Sequence, residues 1–166
     1  MTVSRKARVF WPILATLVLA DCSTKRLVVE QLTADPGPHP ILGEWLRVTL
    51  AYNPGAALNL SLGSASRVVF SLAALVAVTL LLLLYRKTEP GSRLRAAAIA
   101  LVAGGALGNL LDRLRSPRGV VDFIDLGVGD SRFWTFNVAD VGVMLGALLL
   151  AAILWQEDTV AEKAAA

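Results

Sequence analysis

The chain has 166 residues and a net charge of +3, with 55% apolar residues, 17% charged residues, one cysteine and a mean hydropathy of +0.61. These values exclude a disordered tail and a disulfide-stapled secreted domain. The charges stand in short clusters with uncharged runs between them, which is the layout of a small polytopic membrane protein and not of a water-soluble globule.

The first uncharged run, Val9 to Ala20, follows Arg5, Lys6 and Arg8 and covers only twelve residues, about 18 Å of helix. Two readings are open here. A basic start, an apolar stretch and Cys22 resemble a cleavable signal ending at a lipid-modified cysteine. Asp21 directly before the cysteine opposes that reading, because such sites want a small uncharged residue. The alternative is an uncleaved helix running on to about Val29, with Asp21 and Lys25 one turn apart and with Lys25 and Arg26 snorkelling outward.

The loop that follows, about residues 30–66, opens with a breaker-rich turn (Pro36, Gly37, Pro38, His39, Pro40). Trp45 to Tyr52 then alternates in a way that reads as a short strand or hairpin at a membrane surface, and Asn53, Pro54, Gly55, Ala56 and Ala57 close the loop. Val68 to Tyr85 gives eighteen uncharged residues, about 27 Å of helix and close to the thickness of a hydrocarbon layer. Ala96 to Leu111 and Val141 to Gln156 give sixteen each. Between them Val120 to Leu126 reads as extended, and Phe133, Trp134 and Phe136 suit the interface before the last helix.

The expected fold is therefore an all-α membrane protein. Four transmembrane helices at about 9–29, 67–86, 94–113 and 138–156 form a single domain over 1–166, and a small extracytoplasmic β-rich region is built from outer loops at about 30–66 and 114–137. Gly104 to Gly108 and Gly142 to Gly146 are G-x-x-x-G spacings that would let the third and fourth helices approach closely. Basic residues are packed most densely at the termini and the short second loop, so the termini are expected on the cytoplasmic side. The charge of +3 then implies contact with anionic lipid and no nucleic-acid partner.

The chemistry gathers at the outer ends of the helices, where Asp21, Asp112, Asp122, Asp125 and Asp140 stand beside Asn53, Asn109 and Asn137. Carboxylates at that depth need a partner or a task. With His39 alone in a proline turn and Cys22 the lone cysteine, zinc and Ser/His or Cys/His devices are disfavoured; oxygen ligands leave calcium or magnesium as a weak alternative, and no metal is expected. A pair of aspartates sharing one proton is the remaining device, one taking a proton from water and the other polarising a carbonyl. Asp122, flanked by Val120, Val121, Phe123 and Ile124, and Asp140, at the start of an apolar helix, are the natural pair. Each also has a plainer reading: Asn137 and Asp140 as a helix N-cap with a first-turn acid, Asp122 as a turn acid, Asp112 as an ion-paired helix terminus, and Asp125 as a solvated neighbour.

Five ordered strings carry a family resemblance: DCSTK (Asp21 to Lys25), YNPGAAL (Tyr52 to Leu58), GGALGNLLDR (Gly104 to Arg113), GVVDFIDL (Gly119 to Leu126) and FNVAD (Phe136 to Asp140). Together they resemble the signature of signal peptidase II, the bacterial lipoprotein signal peptidase family of membrane aspartic endopeptidases. The resemblance implies that Asp122 and Asp140 are the catalytic pair and that no cofactor is used. It further implies that Asp21, Lys25, Asn53, Gly55, Asn109, Asp112, Arg113 and Asn137 support the pair or the substrate. The implied substrate is a prolipoprotein whose lipobox cysteine carries diacylglycerol, cut just before that cysteine. Cyclic peptides of the globomycin type are implied as inhibitors, and the implied location is the bacterial cytoplasmic (inner) membrane with the site at its outer surface. Cys22 and Leu58 depart from the family's usual glutamine and aromatic. The rival reading from the residues alone is a four-helix transporter coupled to protons or cations. It fits poorly because the middles of the last three helices carry no charge.

Overall fold

The structure, a computed structural model, describes residues 4–55 and 63–165. Four helices and four short strands alternate along the chain: α1 (Ala7–Leu32), β1 (His39–Leu42), β2 (Leu46–Asn53), α2 (Ser66–Lys87), α3 (Arg93–Arg115), β3 (Val120–Val128), β4 (Ser131–Arg132) and α4 (Val138–Ala165). The molecule is mostly helical with one small antiparallel sheet in the order β1-β2-β3-β4. Three helices are long and apolar enough to cross a membrane, namely α2, α3 and α4 as far as Val160. The expected first span is a helix too, but its second half carries Asp21, Lys25, Arg26 and Glu30, and it is not one of those three. Helix α4 runs nine residues beyond the expected end at 156, because Gln156 to Ala165 contains no glycine or proline to stop it.

Helix α3 is the central element. Its buried face consists of Ala96, Ala98, Ala100, Ala103, Gly104, Gly105 and Gly108 with Ile99 and Leu110, and small residues let neighbouring backbones approach where lipid provides no hydrophobic drive between helices. The glycine spacings act differently from the expected pairing of the third helix with the fourth. A Cβ on Gly104 or Gly142 would meet Leu17 of α1, whereas Gly105 lies against Ala139 and Val143, and Gly146 against Ala98, Leu101 and Val102. The α3–α4 contact thus rests on Gly105 and Gly146, while Gly104 and Gly142 make room for α1.

At the end of the bundle holding the N-terminus, the fully buried Phe10 stacks on Tyr85 with ring centroids 3.9 Å apart. The Lys6 ammonium donates to the carbonyls of Tyr85, Arg86 and Thr88, supplying donors to the last turn of α2 that the helix itself lacks.

At the other end, β2 pairs with β3 in a register that sets Ala51 opposite Asp122 and Asn53 opposite Val120, with a shift between Val48 and Ala51. Strand β3 is buried from Val120 to Phe123. The N–H groups of Phe123 and Ile124 both donate to the Phe136 carbonyl, and the Phe136 N–H returns to the Ile124 carbonyl. This bridge holds the residue before Asn137 against the middle of β3. It therefore sets the start of α4 relative to Asp122. Asp125 is a correction to the expected solvated neighbour: it is buried, because Arg132 Nε donates to it at 2.9 Å while the same guanidinium reaches the Glu44 carbonyl at 2.6 Å.

Candidate active site

Asp122 enters from β3 and Asp140 from the first turn of α4. Asn137 touches both. Its side-chain amide donates to Asp122 Oδ1 at 2.6 Å, its backbone N–H donates to Asp140 Oδ2 at 3.0 Å, and its Oδ1 accepts the Asp140 N–H at 3.0 Å. The last two bonds form a reciprocal cap at the start of α4. Asn137 is thus the helix cap expected from its position and, with the same side chain, the link between the two carboxylates.

Each acid has one further amide donor. Asn109 Nδ2 donates to Asp140 Oδ1 at 2.7 Å, and Asn53 Nδ2 reaches Asp122 Oδ2 at 3.3 Å. Asn53 is in turn held by the Gly55 N–H, which donates to its Oδ1 at 3.0 Å. Gly55 has φ +119°, and a Cβ there would stand 2.9 Å from Ser66 and Phe70. Only glycine combines that backbone with that space. Asp122 is 5% exposed. Burial first, and then the nearby Asp140 charge, push its carboxyl up to about 6, against the opposing effect of the Asn137 and Asn53 hydrogen bonds and of the Lys25 charge.

Behind the two acids lies a second polar layer. Lys25 was expected to snorkel outward; it is instead 3% exposed and points inward, pairing with Asp21 at 2.8 Å and Asp112 at 2.9 Å and donating to Asn109 Oδ1 at 2.9 Å. The reason is local: two carboxylates and an amide oxygen converge there, and together they replace the water an ammonium would otherwise seek. Asp21, fully buried, also accepts the Ala139 N–H at 2.9 Å, so a carboxylate of α1 satisfies a backbone donor in the first turn of α4. Asp112 accepts the Val121 N–H at 3.1 Å and so ties the end of α3 to β3. Arg113 donates to the Asn109 carbonyl at 3.1 Å and lies 5.8 Å from the Phe70 ring centroid.

The ten residues implied by the family resemblance therefore fall in one connected cluster, and Asp125 stands apart from it with Arg132. Ala56, Ala57 and Leu58 of the YNPGAAL string lie outside the described residues. His39 hydrogen-bonds the Asp35 carbonyl at 3.0 Å, and Cys22 stands 4.0 Å from Arg115 Nη1. Sequence reasoning missed the backbone partners Ala139 and Val121 and the packing of Phe70 and Ser66 against Gly55. Backbone donors leave no trace in residue type, and Phe70 is one apolar residue among many in α2. Among the described residues, no three His, Cys, Asp or Glu side chains form a metal-holding group.

The family described as "Signal peptidase (SPase) II" matches residues 13–156. The lipoprotein signal peptidase of Halothermothrix orenii is 37% identical over 147 residues, covering 88% of this chain and 94% of the relative. That of Hydrogenovibrio crunogenus is 42% identical over 136 residues, covering 81% and 77%. A solved structure described as a bacterial membrane enzyme at 2.3 Å resolution superposes with a TM-score of 0.81 at 25% identity, covering 95% of this chain and 94% of that one.

Proposed function

This chain belongs to the signal peptidase II family, and from that membership we propose how its polar cluster works. The protein is an aspartic endopeptidase that removes the signal peptide from prolipoproteins. The transporter alternative has no support from these relatives.

In the proposed mechanism Asp122 and Asp140 are the catalytic pair and share one proton. Asp140 receives N–H donors at both oxygens, from Asn109 and from the Asn137 backbone, which hold it in a fixed orientation to act as the base toward water. Asp122, in the drier position on β3 and with its carboxyl pushed up to about 6, holds the proton and donates to the scissile carbonyl oxygen. Water attacks the carbonyl carbon as its proton passes to Asp140, giving a tetrahedral intermediate. Collapse then sends a proton to the leaving amine, and no covalent acyl-enzyme forms. Asn53, Gly55, Asn109, Asn137, Asp21, Lys25 and Asp112 hold the pair in place. Arg113, bound to the Asn109 carbonyl, braces the same helix turn.

The proposed substrate carries diacylglycerol on its lipobox cysteine and is cut just before it. A lipid-tethered peptide presents its bond at a membrane surface, which suits acids gathered at the helix ends. In this reading α1 completes four spans in the bacterial inner membrane, with both termini cytoplasmic and the sheet on the outer side. Cyclic peptides of the globomycin type would inhibit by setting a hydroxyl between the two carboxylates. The observation that carries the proposal is the single side chain, Asn137, bound to Asp122 while its cap bonds hold Asp140.

The test is cleavage of a diacylglyceryl-modified prolipoprotein by purified protein in detergent with chelator present. Wild type should cut, and Asp122→Asn and Asp140→Asn, at matched folded yield, should each lose at least about 100-fold in rate. Survival of activity in either variant would return that aspartate to a structural role.

A further inference from the structure

Lys25 stands one layer away from the two aspartates, and its three N–H groups are fully assigned: Asp21 Oδ2, Asp112 Oδ2 and Asn109 Oδ1. The third bond has consequences beyond holding helices together. An ammonium only donates, so the end of the Asn109 amide that faces it must be the oxygen. The other end, Nδ2, is then turned toward Asp140 Oδ1 at 2.7 Å. The same Asn109 oxygen also accepts from Asn137 Nδ2 at 3.1 Å, and that amide nitrogen supplies the 2.6 Å bond to Asp122. Flipping Asn109 would set its NH2 against both the ammonium and the Asn137 amide, and its oxygen against a carboxylate. All three contacts would turn repulsive.

We propose that Lys25 is a positioning residue for the aspartate pair. It fixes the orientation of the Asn109 side-chain amide, and through it that of Asn137, so that each amide presents an N–H to one aspartate. An ion pair serving stability alone would need Asp21 and Asp112 but not the bond to Asn109. The charged groups facing this ammonium are Asp21 on its own helix, Asp112 on α3 and Asp122 on β3, and Asp140 on α4 and Arg113 on α3 in turn act on Asp122. The inference rests on reading Asp122 and Asp140 as the catalytic pair.

The experiment compares wild type, Lys25→Met and Lys25→Met/Asp21→Asn in detergent, measuring kcat, KM, the pH profile of kcat and the thermal midpoint on the lipidated prolipoprotein. The double variant removes one acid together with the cation, which relieves the charge imbalance, and the asparagine oxygen still accepts from the Ala139 N–H. Lys25→Met should lose about 10- to 100-fold in kcat, the scale of one misdirected hydrogen bond to a charged group. KM should stay within about twofold, and the acid limb of the profile should move to higher pH. The double variant should regain thermal midpoint without regaining kcat. Recovery of kcat in step with the midpoint, or an unmoved acid limb in Lys25→Met, would overturn the inference. If Lys25→Met does not fold, the double variant decides by kcat alone. An inactive wild type would overturn the peptidase reading and this inference with it, whereas an active wild type with unaffected variants would overturn the inference only.

Discussion

Replacing Asp122 by asparagine separates the cost of its charge from its proposed role in the reaction. Its carboxyl goes from an ordinary 3.8 to about 6 in the folded protein. The folded chain therefore binds more protons than the unfolded chain between these values, so stability falls as pH rises from about 4 to about 6 and is level above that. A rise of roughly 2 pH units corresponds to about 3 kcal/mol. Asparagine carries no charge at any pH, and its oxygen still accepts from Asn137. Its NH2, however, meets the Asn53 amide donor-to-donor, which costs about 1 kcal/mol. The variant should then be about 2 kcal/mol more stable than wild type at pH 8 and about 1 kcal/mol less stable at pH 4. For a chain of this length that is about 4 to 8 °C higher at pH 8. The assay is thermal unfolding in detergent at both pH values, followed by tryptophan fluorescence. The measured quantity is the difference between variant and wild type at each pH, so titrating groups not coupled to Asp122 cancel. A variant displaced by the same amount at both pH values would refute the argument that Asp122 is strained by ionisation.

Gly108→Ala should destabilise by about 1–3 kcal/mol, because the new methyl would stand 2.6 Å from Asp21 Oδ2, whereas Gly91→Ala, with open space around it, should leave the midpoint unchanged. Thermal unfolding of the pair side by side checks both. Arg132→Ala should leave the buried Asp125 and the Glu44 carbonyl without their donor, costing about 1–3 kcal/mol. Hydrogen exchange should rise at β3, β4 and the β1–β2 turn while the α3 amides stay protected; a uniform rise through the helices would contradict a local latch.

The parts of this molecule that were legible in its sequence are those where residue type and environment agree. Val68 to Tyr85 has no charge to place, so a helix of spanning length was the natural reading, and α2 covers it. The alternation in Trp45 to Tyr52 and the β-branched run around Asp122 gave strands that pair with each other, β2 half-buried along its length and β3 buried from Val120 to Phe123. Elimination of histidine and cysteine devices drew attention to Asp122 and Asp140, and the structure brings both against Asn137. Lys25 was misread because a lysine near a helix end takes whichever counter-charge lies closest, and its second partner, Asp112, is far away in sequence. Its spacing from Asp21 was the available signal. Asp125 was misread because Arg132 reaches it only once β4 folds back on β3. The glycine spacings were visible, but which helix each glycine would face depends on helix rotation, which a spacing of four residues does not encode.

The bond from the Ala139 N–H to Asp21 joins residues 118 positions apart. One is near the start of the chain and the other is adjacent to Asp140. A ribosome must therefore deliver nearly the whole polypeptide before the first turn of the last helix can receive this carboxylate, and until then the two aspartates have no shared scaffold. A truncated product ending before α4 would hold Asp122 without Asp140, so on the proposed mechanism an unfinished copy cannot cut until its last helix is in place.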